Sequence, residues 1–172
     1  RHIPPVLERD GQSVGAWFAA LNRGKRSVVI DLRSAAGRDR IVELAGESDV
    51  VIESFRPGVM ARLGLNPAEL CARYPKLVVA SLTGWGQTGP LADQPGHDLG
   101  FLSLAAMFGG QLPTVPRMQW GDLAAGGLVA ALRIMGALHA SRGGWLDIAM
   151  LDGLVGLQQP QFAQLAARAA PD

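Results

Sequence analysis

Two ionisable residues, His97 and Asp122, stand where glycine-containing loops give way to predicted helices. A histidine side chain exchanges protons near neutral pH, and a carboxylate can act as a base when burial raises its pKa. The pair therefore fits proton-transfer chemistry. Plainer interpretations stay open: Asp122 as an N-cap that accepts backbone hydrogen bonds, and His97 as an ordinary surface histidine.

A third candidate is Arg56, which is followed by Pro57 and Gly58. A guanidinium in such a turn can bind a phosphate through paired hydrogen bonds, although an exposed arginine needs no ligand to explain it. The segment 84–89 holds three glycines in six residues, which excludes regular structure and lets the backbone approach a ligand closely.

Several familiar site patterns are absent from the sequence. The three histidines are scattered and no Cys–His pair exists, so no metal site is predicted. The single cysteine, Cys71, excludes an internal disulfide and is interpreted as a small buried apolar residue. There is no nucleophile elbow, no Walker loop and no dinucleotide fingerprint. The residues alone predict only an α/β enzyme domain with a loop-lined site for an anion or another ligand.

The elements that must position these groups follow from short β-branched runs separated by helical stretches. Strands are predicted at 27–32, 49–54, 77–82 and 145–150. Helices are predicted at 35–45, 59–63, 67–74, 97–108 and 122–139, and from 151 onward. This alternation predicts a parallel sheet with helices on both faces, in which ligands lie at the carboxyl ends of the strands. Those ends are 31–33, 53–56 and 83–86.

Composition narrows the class of partner. The 172 residues are 48% hydrophobic and 18% charged, with a formal net charge of +1, which gives no reason to expect nucleic acid or an anionic membrane as partner. The longest apolar stretch, 123–138, contains Arg133 and three glycines, so a buried helix is predicted instead of a membrane span. A single cysteine fits a reduced, cytoplasmic setting. We expect residues 1–172 to be one partial domain of a longer protein, with 151–172 as a helical segment leading to a linker.

Eight short segments, in this order and at this spacing, resemble one family. They are RGKRS (23–27), IDLRS (30–34), FRPGV (55–59), LGL (63–65), LTGWGQTGP (82–90), GHD (96–98), GDL (121–123) and AMLDG (149–153). Over residues 20–155 the sequence is similar to the family III CoA-transferase and α-methylacyl-CoA racemase superfamily. The resemblance implies a Rossmann-like three-layer α/β large domain and an intertwined homodimer.

The resemblance also implies a substrate and a site. The substrate would be an acyl-CoA thioester, with coenzyme A entering as part of the substrate and no cofactor bound permanently. His97 and Asp122 would be the catalytic residues, in an enzyme of lipid metabolism. The expected CoA and thioester contacts are Ile30, Asp31, Leu32, Arg33, Arg56, Gly84, Gly86, Gly96, Asp98, Leu99, Gly100 and Phe101.

One residue favours the racemase branch. Racemases of the superfamily typically read Gly-His-Asp-Ile-Asn-Tyr where this chain has Gly-His-Asp-Leu-Gly-Phe at 96–101, whereas transferases usually carry Tyr in place of the histidine. The family's opening strand, its glycine-rich first turn, an early pyrophosphate-binding arginine and the small domain have no counterpart here, and the turn at 141–144 is shortened. We therefore expect this chain by itself to be inactive.

The expected activity is epimerisation of a 2-methylacyl-CoA by two bases, His97 and Asp122, on opposite faces of the α-carbon. The alternative is a CoA transferase in which Asp122 is the nucleophile. A third interpretation is a non-catalytic module that kept the fold. Apolar residues near the site suit either a fatty acyl chain or the core (Phe101, Leu102, Met107, Phe108 and Met118), and the loop 109–119 is a candidate lid.

Overall fold

The computed structural model describes residues 4–9, 11–108, 116 and 118–169. It contains two compact units, Arg1–Ile30 and Asp31–Asp172. Most of the candidate lid, 109–115 and residue 117, lies outside the described residues.

The N-terminal unit holds an antiparallel hairpin and a short helix. Strand β1 (Val6–Arg9) pairs with β2 (Gln12–Gly15), and helix α1 (Ala16–Leu21) follows directly. The strand predicted at 27–32 is wrong, because residues 25–31 have no regular structure and Val29 is 95% exposed. A strand needs a neighbour to complete its hydrogen bonds, and no described strand pairs with this segment.

The second unit is built on a parallel sheet of three strands in chain order. These are β3 (Val50–Glu53), β4 (Val78–Thr83) and β5 (Gly144–Ala149). Their bounds lie within a residue or so of those predicted, because each is a short β-branched or apolar run bounded by polar or turn residues. Helices flank the sheet, so the predicted α/β class is confirmed.

Alternation along β4 directs side chains to two separate cores. Val79 points to one face, where it packs with residues of α2 (Ala35–Gly46), α3 (Val59–Arg62) and α4 (Pro67–Arg73). Val78 and Ala80 point to the other face, against Ala130 and Ile134 of α6 (Val129–His139). Fully burying one such aliphatic side chain contributes about 1.5–3 kcal/mol, so these cores hold the strand ends in place.

Local signals begin helices α2 and α4 as predicted. The Ser34 hydroxyl accepts a hydrogen bond from the Gly37 backbone amide at 3.0 Å, and the Asn66 side chain accepts one from Ala68 at 3.0 Å, with Pro67 in the first turn of α4. Cys71 of α4 is partly buried against the first core, and burial raises its pKa.

A third core joins three helices beside the sheet. It forms where α5 (Asp98–Leu104), a π-helix (Trp120–Leu128) and α7 (Met150–Leu157) meet, and α8 (Gln159–Ala169) completes the described chain. Phe101, Leu102, Ala125 and Leu154 are buried there. The α-helix predicted at 122–139 is therefore wrong in its first part, since the segment starts at Trp120 with π-helical geometry and becomes α-helical only at Val129.

The stretch Trp120–His139 is long and apolar enough, with a mean hydropathy of 1.4, to cross a membrane by length and composition alone. In the structure it packs along one side only. Ala130 and Ile134 are buried against the sheet, whereas Leu132 is 73% exposed and Leu128 and Met135 are also exposed. The predicted buried helix is thus buried on one face.

Candidate active site

A cavity of about 450 Å³ opens at the carboxyl ends of β3 and β4. Its walls come from the segments after those strands, the loop before α5, the π-helix and the start of α7. The lining residues are Ser54, Phe55, Arg56, Pro57, Leu82, Thr83, Gly84, Trp85, Ala92, Gln94, Pro95, Gly96, His97, Phe101, Asp122 and Met150. This is the edge at which a parallel α/β sheet places its ligands.

The structure brings His97 and Asp122 to this one cavity. His97 is the N-cap residue of α5, with extended backbone and an exposed side chain, and its carbonyl accepts the Gly100 amide at 2.8 Å. Asp122 is partly buried in the first turn of the π-helix. The N-cap interpretation of Asp122 is wrong, since the π-helix begins two residues earlier and the residue that precedes it, Gln119, makes no side-chain cap.

The start of the π-helix is capped instead by Asp98, from another helix. One carboxylate oxygen of Asp98, Oδ1, accepts the backbone amides of Gly121 at 2.6 Å and Asp122 at 3.2 Å. Asp98 is 9% exposed and is not among the residues that line the cavity, and its carboxylate makes a contact within the protein. No local pattern could reveal this bond, because its partners are 23 and 24 residues apart.

The pKa of the Asp122 carboxyl is raised above its ordinary value. Burial is the largest cause, because it disfavours the charged form, and the Asp98 carboxylate adds to the effect by like-charge repulsion. His97 acts in the opposite direction and lowers this pKa by electrostatic interaction. Two neighbouring residues at the start of α5 therefore act on the pKa of Asp122 in opposite directions.

An aromatic pair forms one wall of the cavity. The rings of Trp85 and Phe101 meet edge to face, with centroids 4.7 Å apart, and the Trp85 indole Nε1 donates to the Gln94 carbonyl at 3.1 Å. Gly96 lies so close to both rings that a side chain at this position would force them to shift. Phe101 is only 4% exposed and belongs to the core as well as to the wall. Trp85 lies within the predicted ligand-binding strand end 83–86, although it is not among the individually predicted contacts. Gln94 and Met150 were missed as lining residues, and no pattern in the sequence points to them.

The glycines near the cavity have different tasks. Gly84 and Gly96 line it. Gly86 is not a lining residue. It forms a turn at φ +89°, which favours glycine, and its amide donates to the Thr83 hydroxyl at 3.0 Å. The next amide, of Gln87, donates to the Asp147 carboxylate at 2.9 Å, which ties this turn to β5.

Of three further residues predicted to contact the substrate, one lines the cavity and two are exposed on α5. Arg56 lines the cavity and is exposed, so its guanidinium is accessible from solvent. Leu99 and Gly100 are exposed on α5 and do not line the cavity. Among the residues that the structure describes, no group of three His, Cys, Asp or Glu side chains could hold a metal ion.

Asp31, Leu32 and Arg33 of the predicted 30–33 contact stretch are not among the residues that line this cavity. Leu32 and Arg33 line a second one of about 470 Å³, together with Arg38, Arg62, Leu63 and Gly64. Asp31 organises the turn before α2, since its carboxylate accepts the Arg33 amide at 2.9 Å and its carbonyl accepts the Ser34 hydroxyl at 2.8 Å. Ile30, the last residue of the N-terminal unit, is partly buried.

Comparison with known proteins identifies the family. The sequence matches the model of CoA-transferase family III over residues 1–172. The "Probable fatty acyl-CoA transferase Rv3272" of Mycobacterium tuberculosis is 38% identical over 167 residues, which are 92% of this chain and 42% of that protein. The human alpha-methylacyl-CoA racemase is 38% identical over 142 residues, which are 77% of this chain and 37% of the racemase.

A solved structure gives the same result for the fold. The crystal structure of a CaiB/BaiF family protein from Brucella suis superposes with a TM-score of 0.87 at 32% identity, covering 98% of this chain and 47% of that chain. The chain spans about 40% of the length of the curated relatives it matches. The expected family and fold are confirmed: the chain belongs to CoA-transferase family III.

Proposed function

We propose that this chain forms the proton-transferring part of an enzyme that epimerises a 2-methylacyl-CoA thioester. The observation that supports this most is that His97 and Asp122, from different helices, line a single cavity at the carboxyl ends of β3 and β4. An imidazole and a carboxylate are the two kinds of group that exchange a proton with carbon near neutral pH.

The reaction needs one base on each face of the α-carbon. One group takes the α-proton, and the electron pair left on carbon delocalises onto the thioester oxygen to give an enolate. The other group then donates a proton to the opposite face, and the carbonyl re-forms. Each positioned base contributes about 10²–10⁴-fold in rate. His97 and Asp122 exchange roles when the reverse epimerisation proceeds.

The raised pKa of Asp122 suits this exchange of roles. A carboxyl of ordinary pKa is almost entirely ionised near neutral pH and is a weak acid–base partner for carbon. Burial and the neighbouring Asp98 raise the pKa of Asp122, and this brings it closer to the working pH. The same carboxyl can then take the α-proton of one epimer and, in the reverse reaction, donate a proton to the enolate that His97 has formed from the other epimer.

The developing negative charge on the thioester oxygen also needs donors. Gly84 and Gly96 line the cavity, and a glycine has no side chain to keep a ligand from its backbone. One positioned amide donor is worth about 3 kcal/mol to such a transition state. The exposed Arg56 on the same cavity offers paired donors to an anionic group of coenzyme A.

Deuterium exchange in the complete enzyme tests the proposal. A 2-methylacyl-CoA is incubated in D₂O, and entry of deuterium at the α-carbon is followed for each epimer by mass spectrometry. His97→Ala and Asp122→Asn should each lower exchange by about 10²–10⁴-fold, with the larger loss for a different epimer in each case. His139→Ala is the matched control, because that histidine is exposed at the end of α6 and does not line the cavity. Unchanged exchange in the variant lacking both groups would disprove the assignment.

A second candidate function is CoA transfer, the reaction after which the family is named. Asp122 reaches the cavity and is only partly buried, so its carboxylate is accessible for attack. A carboxylate oxygen would attack the thioester carbonyl and release the CoA thiolate, leaving an acyl-aspartyl anhydride. The thiolate would then attack the aspartyl carbonyl, releasing the acid and leaving an aspartyl-CoA thioester.

Hydroxylamine separates the two functions. It should inactivate a transferase in the presence of acyl-CoA, because it attacks the activated aspartyl carbonyl, and mass spectrometry should then find the modification on Asp122. An epimerase that forms no covalent intermediate should keep its full activity under the same conditions.

A further inference from the structure

We infer that Asp98 is a positioning residue, whose carboxylate holds the start of the π-helix so that Asp122 faces the same cavity as His97. The inference rests on the proposed proton transfer by these two residues. Asp98 follows His97 directly in the chain and begins α5. A hydrogen bond from the Asp98 side chain to the π-helix therefore fixes the helix start that carries His97 relative to the helix start that carries Asp122.

The hydrogen bonds show how the carboxylate does this. The first amides of a helix have no partner within the helix, and a carboxylate is a strong acceptor for them. Asp98 Oδ1 accepts two of these amides, those of Gly121 and of Asp122 itself, at 2.6 and 3.2 Å. The second bond acts on the backbone of the residue whose side chain lines the cavity, so the orientation of Asp122 depends on it.

The residue opposite Asp98 is shaped for this contact. Gly121 is buried, and a methyl group there would lie 2.8 Å from Asp98 Oδ1, well inside the ordinary contact distance. Only glycine lets the carboxylate approach the helix start this closely. Asp98 and Gly121 therefore work as a pair, and a change at either should loosen the same junction.

The charges around Asp122 make the proposal measurable. Asp98 disfavours the ionised form of Asp122, His97 favours it, and Arg56 lines the same cavity. On α7, which packs against the π-helix, the titratable side chain is that of Asp152, which is exposed. Removing the Asp98 charge should therefore lower the pKa of Asp122. With the epimer whose α-proton Asp122 takes, this should move the acid limb of the kcat/KM profile to lower pH.

Two variants of the complete enzyme separate the charge from the hydrogen bonds. Asp98→Asn keeps an oxygen acceptor but not the charge, so it should shift the acid limb to lower pH and lower kcat by less than tenfold. Asp98→Ala loses both, and a displaced Asp122 should lower kcat by about 10²-fold while KM for the acyl-CoA changes by less than about threefold, because Asp98 does not line the cavity. Gly121→Ala should resemble Asp98→Ala. Ser103→Ala, at an exposed site on the same helix, is the control.

The outcomes distinguish this inference from the function on which it rests. If His97→Ala and Asp122→Asn leave exchange intact, the proposed function fails. If those variants abolish exchange, but Asp98→Asn leaves the acid limb where it was and Asp98→Ala keeps kcat within threefold, the positioning role is refuted. Should Asp98→Ala fail to fold, Gly121→Ala decides in its place: a loss of about 10²-fold in kcat with KM within about threefold supports the positioning role, and a kcat within threefold of the parent refutes it.

Discussion

The substitution Gly96→Ala tests how tightly the aromatic wall is built. A methyl carbon at this position would lie 2.5 Å from Cε1 of Phe101 and 2.7 Å from Cζ2 of Trp85. Non-bonded carbon atoms prefer about 3.5–4.0 Å, so the rings would have to retreat by about 1 Å. Neither ring is free to do so, because Phe101 is buried in the third core and Trp85 is hydrogen-bonded to the Gln94 carbonyl.

The expected cost follows from this overlap. Forcing an extra methyl group into a packed core typically costs about 1–3 kcal/mol. For a chain of this size, each kcal/mol lowers Tm by about 2–4 °C, so Gly96→Ala should melt about 2–12 °C below the parent. The matched control is Gly156→Ala on α7, where a methyl group would meet nothing within 4 Å. That change should be neutral or should stabilise the helix by about 0.5–1 kcal/mol.

A double-mutant cycle measured by urea unfolding tests whether overlap with the Phe101 ring causes the stability loss of Gly96→Ala. Phe101→Leu removes the ring edge, so the cost of Gly96→Ala should fall by at least about 0.5 kcal/mol when both changes are combined. If Gly96→Ala alone is within about 0.5 kcal/mol of the parent, or if its cost is the same in the Phe101→Leu background, the wall is looser than the geometry implies and the reasoning fails.

Two further changes should affect stability in defined ways. Asp122→Asn removes a carboxyl whose pKa is raised in the folded state, so the parent loses stability as pH rises from the ordinary carboxyl pKa through the raised value. At pH 7 the variant should melt at a higher temperature than the parent, with a gain in unfolding free energy of less than about 1 kcal/mol because the site is partly exposed. At pH 3 the variant should melt no higher than the parent. Equal melting differences at both pH values would contradict this. Gln158→Leu removes the donor that the Ala105 carbonyl uses and should cost about 1–3 kcal/mol in urea unfolding, whereas Gln159→Leu, at an exposed neighbour, should stay within about 0.5 kcal/mol. Equal costs for the two glutamine changes would show that the buried bond is unimportant.

Strands and helix starts with local signals could be predicted from the sequence. β3, β4 and β5 are short apolar runs bounded by polar or turn residues, and Ser34 and Asn66 stand immediately before α2 and α4. In each case the determining contacts lie within a few residues of one another. The N-terminal hairpin carries such a signal too, since the dipeptide Asp10-Gly11 stands between its two strands in the sequence.

Features that depend on distant contacts could not be predicted. The segment 27–32 has the composition of a strand, but no described strand pairs with it. The π-helix begins at Trp120 and not at Asp122, and the carboxylate that caps it comes from Asp98. The same holds at the candidate site. Residue types suggested His97 and Asp122, but only the fold places both at one cavity, with Asp98 buried and not among the lining residues.

The walls of the cavity that His97 and Asp122 share are drawn from segments between Ser54 and Met150, a long stretch of the second unit. Such an enclosure exists only after the strands have paired and three helices have packed, so a small molecule held there binds the native chain and not the denatured one. By mass action, occupancy at a hundred times Kd should add about 2.7 kcal/mol to unfolding. Melting curves recorded with a panel of CoA thioesters would therefore rank acyl groups before any turnover is measured.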